Sequence, residues 1–221
     1  MQIISVLAQK GGAGKTTLTL HWAVEVQAQT GKAVAVIDTD PQRTAVKWYQ
    51  RRAQETPEVL QSEPEQLPKA LEFCRNKGVD YVFVDTMPRV ERWPSVEAAR
   101  VADLVVIPCG PTVPDIESVA DSVEIVKRTK TKAVMVLNNG VPGSGHNQKV
   151  IGVLEREFDL PVCPVVVIRR TALFHAFNDG RAIGELAPSS KGAQEIRKSW
   201  RWIAAQLAAE AEPKARRKRV G

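Results

Sequence analysis

Two lysines bracket a run of small residues, Gln9-Lys10-Gly11-Gly12-Ala13-Gly14-Lys15-Thr16-Thr17, placed between the apolar stretch Ile3 to Leu7 and a helical pattern. Glycines without a Cβ let backbone N–H groups curve around an anion, and the next helix aims its unpaired amides and positive dipole end at the same point. Lys15 adds a point charge and Thr16 a hydroxyl suited to Mg²⁺, so the chemistry on offer is the binding of a phosphate with its metal. The usual G-x-x-x-x-G-K-[ST] arrangement is not met. Gln9 stands where its first glycine belongs, and a second lysine, Lys10, follows it.

Carboxylates form the other half of the chemistry. Asp38-Thr39-Asp40-Pro41-Gln42 follows the apolar run Ala33 to Ile37, and Asp85-Thr86-Met87-Pro88 follows Tyr81 to Val84. Short unbroken apolar runs are the pattern of parallel strands buried on both faces, and open α/β sheets keep their ligands at the C-terminal strand ends. Pro41 bars Asp40 from helical geometry, which helps to fix its direction. Two βα units beyond a phosphate loop, Asp85 is where a second carboxylate on the Mg²⁺ side is expected. Asp38 has an alternative role, capping the turn that follows it.

The elements needed to position these groups can be read in outline. Strands are predicted at Ile3 to Leu7, Ala33 to Ile37, Tyr81 to Val84, Leu104 to Pro108, Ala133 to Leu137 and Val162 to Ile168. Helices are predicted over Thr17 to Gln29, Thr44 to Ala53, Leu67 to Lys77, Ile116 to Arg128, Lys149 to Phe158 and Arg170 to Phe177. Ile196, Trp200, Ile203 and Leu207 mark a final amphipathic helix, with Trp202 off its stripe as an exposed contact or partly buried beneath a loop. Pro57 to Pro68 reads as a weakly structured connection, Cys109 to Asp115 as a proline-stiffened loop, and Gly140 to Gly145 as a flexible one. Alternating strands and helices mean an α/β fold, a mostly parallel sheet with helices on both faces. Residues 1–212 are expected to form one domain, with 213–221 a basic, disordered tail.

Composition narrows the class. The chain has 221 residues, 43% hydrophobic and 25% charged, which is ordinary globular material. Cys74, Cys109 and Cys163 lie far apart without a C-x-x-C pair, so they read as buried small hydrophobes in a reducing cytosol. His21, His146 and His175 have no partner at metal or triad spacing and read as surface or structural residues. No apolar run reaches transmembrane length, and no basic segment precedes the first strand, so a soluble, unexported protein is expected. The net charge of +6 arises entirely between Arg197 and Gly221, which hold eight Lys/Arg against Glu210 and Glu212. A neutral body with a basic end suits a polyanion such as DNA or an anionic membrane, or else a solvated tail.

The motifs Lys10-Gly11-Gly12-Ala13-Gly14-Lys15-Thr16 and Asp38-Thr39-Asp40-Pro41-Gln42 together resemble the ParA/MinD family of deviant P-loop ATPases. Within it the chain is similar to the short plasmid-type, ParF-like ParA partition proteins. The resemblance runs on through Asp85, Pro108 to Asp115, and Ile168 to Gly192. It implies a P-loop NTPase fold and an ATPase of weak intrinsic activity that uses ATP and Mg²⁺. Lys15 would hold the β and γ phosphates, the backbone from Gly11 to Thr17 (Gly11, Gly12, Ala13, Gly14, Lys15, Thr16, Thr17) would cradle them, and Thr16 would ligate Mg²⁺ with Asp38 and Asp85 on the metal side. Lys10 would cross to the nucleotide of a second copy in an ATP-bound homodimer, and Asp40 would position the attacking water. Asn138, Pro111 and Asp115 would face the adenine. One departure is Asp85-Thr86-Met87-Pro88, where many relatives carry D-x-P-P or D-x-A-P.

The same resemblance implies non-specific DNA binding by Arg169, Arg170, Lys191, Arg197, Lys198 and Arg201, regulated by a ParB-type centromere-binding partner, in the cytoplasm and on the bacterial nucleoid. The alternative for these residues is a solvated helix face with local ion pairs such as Glu195 with Lys198. Rival functions are a MinD-like membrane-associated ATPase, a cargo-positioning ATPase, and a metabolic relative such as an iron-sulfur reductase or a cobyrinate-type amidase. Against the membrane reading, the stripe of the final helix is needed for packing, so no stable membrane association is expected. Scattered cysteines argue against the reductase, and the lack of a second domain against the amidase.

Overall fold

Alternate residues of the central strands leave for opposite faces of one sheet, and each face is apolar. Ile4, Val6, Phe83, Leu104, Val106, Val134 and Val136 enter one core with Trp22, Trp48 and Trp200, while Ile3, Leu7, Val82, Val84, Val105, Ile107, Met135 and Leu137 enter the cores behind. That period-two division buries strands without alternating polarity, as parallel sheets require. The computed structural model describes residues 1–88, 92–143 and 145–209. The expected tail, residues 213–221, lies outside them.

Among the described residues seven strands, β1 (Gln2–Val6), β2 (Val34–Asp38), β3 (Glu58–Gln61), β4 (Tyr81–Asp85), β5 (Leu104–Cys109), β6 (Ala133–Gly140) and β7 (Val167–Ile168), pair in the order β3-β2-β4-β1-β5-β6-β7. Every pairing is parallel. The α/β class with a parallel sheet and helices on both faces is thus observed. The helices are α1 (Lys15–Thr30), α2 (Thr44–Gln50), α3 (Leu67–Asn76), α4 (Arg92–Val101), α5 (Val113–Glu117), α6 (Val119–Thr129), α7 (His146–Phe158), α8 (Thr171–Asn178), α9 (Ile183–Leu186) and α10 (Lys191–Ala208). Helix α10 packs on α1: Ile196, Trp200, Ile203 and Leu207 are all buried, and the Trp22 indole donates to Ser199 Oγ at 3.0 Å. Trp202 is partly buried against the same core.

The elements depart from the sequence-based outline in several details, among them the short helix α9, for which the outline has no counterpart, and the end of α2 at Gln50 instead of Ala53. The connection from Pro57 to Pro68 contains the edge strand β3, in which Val59 alone is buried, so pairing with β2 and not local pattern makes it a strand. The stretch given no element before Leu104 holds α4. The helix expected from Ile116 to Arg128 is divided at Ser118, and its first part starts inside the proline loop, where Thr112 and Asp115 form a capping box and Pro114 sits in the first turn. Of the strand expected over Val162 to Ile168, two residues remain in β7, with Val162 forming one bridge to Met135. Pro164 between them has no N–H for the ladder.

Candidate nucleotide site

Helix α1 begins beneath the glycine loop with no side chain capping it and no acidic residue in its first turn. Its leading amides therefore stay available to an anion. Gly12 and Gly14 have φ of 79° and 91°, so the loop uses the left-handed region that glycine enters without strain. Gly14 is constrained twice, since a Cβ there would lie 2.1 Å from Asn138 Nδ2. That amide also donates to Ala13 O at 2.9 Å, which ties the end of β6 to the loop.

Beside the loop, neighbouring strands end level with one another. Val6 is in register with Asp85, and Asp38 with Asp85. Both carboxylates are fully buried. Asp38 Oδ1 accepts from the Asp40 amide at 3.0 Å, and Oδ2 accepts from the amides of Ala45 and Val46 at 3.0 and 3.2 Å, so it caps α2. Burial raises its pKa, against the pull of those amides. Asp85 differs, because no amide reaches it and neither oxygen has a hydrogen bond of good geometry among the described residues, the Thr16 hydroxyl being the donor beside it. Burial lifts its pKa to about 7, opposed by the nearby Thr16 hydroxyl.

Lys15 is 6% exposed. Burial lowers its pKa, while Asp85 and Asp40 hold it up. Asp40 is less buried and its Oδ1 accepts from the Gln42 amide at 2.8 Å. A buried cation, a buried carboxylate and a hydroxyl thus meet at a helix N-terminus. A divalent cation would satisfy the Asp85 oxygens and favour their ionised form, so these residues fit Mg²⁺.

The loop opens into a cavity of about 350 Å³. Gly12, Gly14, Lys15, Thr16, Thr17, Asp40 and Asn138 line it, joined by Leu18 and His21 of α1, by Asn139, Val167 and Ile196, and by Arg170, Leu173, Phe174 and Phe177 at and along α8. The α8 residues recur at i, i+3, i+4 and i+7, a helical stripe legible in the sequence, where no motif links it to the glycine loop. Phe174 is 58% exposed despite its size.

Pro111 and Asp115 are not among the residues lining this cavity. Asp115 instead accepts from Lys10 Nζ at 2.6 Å through Oδ1, and from the Thr112 amide and hydroxyl through Oδ2. Burial works against its ionisation, but those bonds outweigh it and hold the carboxyl below the usual range. Among the six basic residues read as a DNA surface, Arg169, Lys191, Lys198 and Arg201 are exposed. The other two pair with body carboxylates: Arg170 with Glu195, and Arg197 Nε with Glu25 at 3.0 Å. Glu195 therefore serves Arg170, not the local pair with Lys198. The three cysteines are buried, and no group of metal-ligating side chains forms among the described residues. No helix among them is long and apolar enough to cross a membrane.

Residues 4–183 match the model of the CobQ/CobB/MinD/ParA nucleotide binding domain. The chain is 28% identical over 233 residues to the chromosome-partitioning ATPase Soj of Thermus thermophilus, across 88% of this chain and 92% of that protein. It is 31% identical over 123 residues to the maintenance of carboxysome distribution protein A of Gloeobacter kilaueensis, and this match spans 55% of each chain, about half the length of that relative. Among solved structures, the MinC:MinD cell division protein complex of Aquifex aeolicus superposes with a TM-score of 0.77 at 19% identity, covering 100% of both chains.

Proposed function

The chain belongs to the CobQ/CobB/MinD/ParA nucleotide-binding family of P-loop ATPases, and on that premise we propose that it is a partition ATPase. It dimerises on ATP, binds DNA without sequence preference and hydrolyses ATP when a ParB-type centromere-binding protein stimulates it. The observation carrying this reading is the convergence of Lys15, Thr16 and the fully buried Asp85 carboxylate beneath an uncapped helix N-terminus that opens into a cavity of about 350 Å³. Soj, related along nearly its whole length, favours partition over the other roles of the family.

In this reading the amides from Gly11 to Thr17 and the Lys15 ammonium hold the phosphates. Thr16 with Asp85 and Asp38 holds Mg²⁺, which when bound offsets phosphate charge. Asp40 orients the water for in-line attack, and Lys10 of a second copy adds a cation to the transferring phosphate. Lys10 must first leave Asp115. A cation that arrives only on assembly couples nucleotide state to dimerisation. Asn138 faces the nucleoside from the β6 end, and Leu173, Phe174 and Phe177 of α8 supply the apolar wall that Pro111 and Asp115 do not. Residues 1–212 act as one ATPase domain with 213–221 as a basic tail, on the nucleoid of a bacterial cytoplasm.

Cargo positioning is the second reading, favoured by the relative named for carboxysome distribution. Co-sedimentation with DNA and with anionic liposomes, with and without ATP at two salt concentrations, tests the DNA-binding step against a membrane role. ATP-dependent, salt-sensitive retention on DNA is expected, and Lys10→Ala should lose it together with the dimer. Retention on liposomes alone would replace partition with a membrane role.

A further inference from the structure

His21 is 2% exposed and stands in the wall of the nucleotide cavity, six residues and ~9 Å along α1 from Lys15. Its Nδ1 accepts a hydrogen bond from the Ile183 amide at 3.1 Å. An imidazole that accepts at Nδ1 carries its proton at Nε2, and this N–H has no partner among the described residues. Glu185, the nearby carboxylate that opposes the loss of basicity, is spent elsewhere: its two oxygens take Arg52 Nη1 and Nη2 at 2.8 and 2.6 Å and the Ala182 amide at 2.7 Å. Burial holds the ring neutral, with its pKa lowered to about 4, so Nδ1 stays free to accept near neutral pH. A residue needed only to cap Ile183 would not require a second buried donor, which is destabilising when left unsatisfied.

We infer that His21 donates from Nε2 to a lone pair on the nucleoside half of the bound nucleotide. This rests on the nucleotide reading above and extends it, giving the apolar end of the cavity a polar contact that selects nucleotide over bare polyphosphate. With phosphates at the start of α1, the nucleoside continues along the face bearing Thr17, Leu18 and His21, and Phe174 and Phe177 bound the same space. One buried donor among apolar walls is the usual way such a cavity orients its ligand.

Asn and Gln separate the two ring nitrogens, because the shorter amide places a polar atom near Nδ1 and the longer one near Nε2. Calorimetric titration of the full chain with MgATP and with magnesium tripolyphosphate provides the test. His21→Asn keeps an acceptor for Ile183 and is expected to weaken ATP roughly tenfold while leaving tripolyphosphate unchanged. His21→Gln keeps a donor and is expected to stay within about threefold of the parent for ATP. The inference is overturned if His21→Asn binds ATP as the parent does, or if it loses both ligands alike. A parent chain that binds neither ligand would remove the nucleotide reading itself, which is a different result.

Discussion

Gly14 concentrates two demands in one residue, a left-handed backbone and contact with the Asn138 amide. An alanine there meets backbone strain of about 1 kcal/mol and must also displace Asn138 from Ala13 O. Gly14→Ala should therefore lower the urea midpoint and abolish ATP binding in calorimetry, whereas Gly11→Ala, with open space around its Cβ, should keep the midpoint of the parent. His21 supplies a pH dependence of definite sign. The unfolded chain takes up a proton there near pH 6.5, while the folded chain refuses it until about pH 4. Stability from this group is complete above pH 6.5 and lost as pH falls towards 4, reaching about 2 kcal/mol at pH 5. Urea unfolding at pH 7 and pH 5 should show a loss smaller by that amount in His21→Asn.

At the scale of elements, α1 carries the site and α10 holds α1 in place. Trp200 seats α10 on the sheet against Tyr81 and Phe83 of β4, and the tie to α1 itself is polar, Trp22 with Ser199 and Arg197 with Glu25. Glu25 is 5% exposed, so removing its cation leaves a buried charge with Gln29 as its one remaining donor among the described residues. Arg197→Ala should cost on the order of 2 kcal/mol, read as a fall in urea midpoint with the m-value unchanged. Arg170 and Glu195 join the start of α8 to α10 in the same manner, and the Glu195 carboxylate also receives the Ile168 amide at 3.1 Å. The cavity wall at α8 is thus fixed by the helix that packs behind α1.

Across the whole molecule, charge is divided between a balanced body and a basic end. Of the six basic residues assigned to DNA, the four exposed ones can reach phosphates, whereas Arg170 and Arg197 are committed to carboxylates. If the proposed DNA binding holds, Lys191→Ala, Lys198→Ala and Arg201→Ala should each reduce the slope of log K against log salt by about 0.9, with little loss of stability. Removing residues 213–221 should reduce it further, since five Lys/Arg lie there. A slope unchanged by both alterations would place the DNA contacts elsewhere.

The motifs around Lys10, Lys15, Asp40 and Asp85 determined family and sheet type by themselves, because they are local. Glycines that curve, a lysine and threonine at a helix start and acids after apolar runs act within a few residues of one another, and apolar runs long enough to be buried identify their own strands. What depended on distant segments was decided only by the tertiary structure. Strand β3 exists through its pairing with β2, one oxygen of Asp38 receives the first amides of α2, and Asp115 turns to Lys10 across 105 residues instead of lining the cavity. The walls of that cavity come from α1, α8 and α10, and the second nitrogen of His21 has a meaning only once Ile183 occupies the first. Spacing along a chain reports what neighbours can do together, but a side chain's remaining partner is set by whichever segment folding brings beside it.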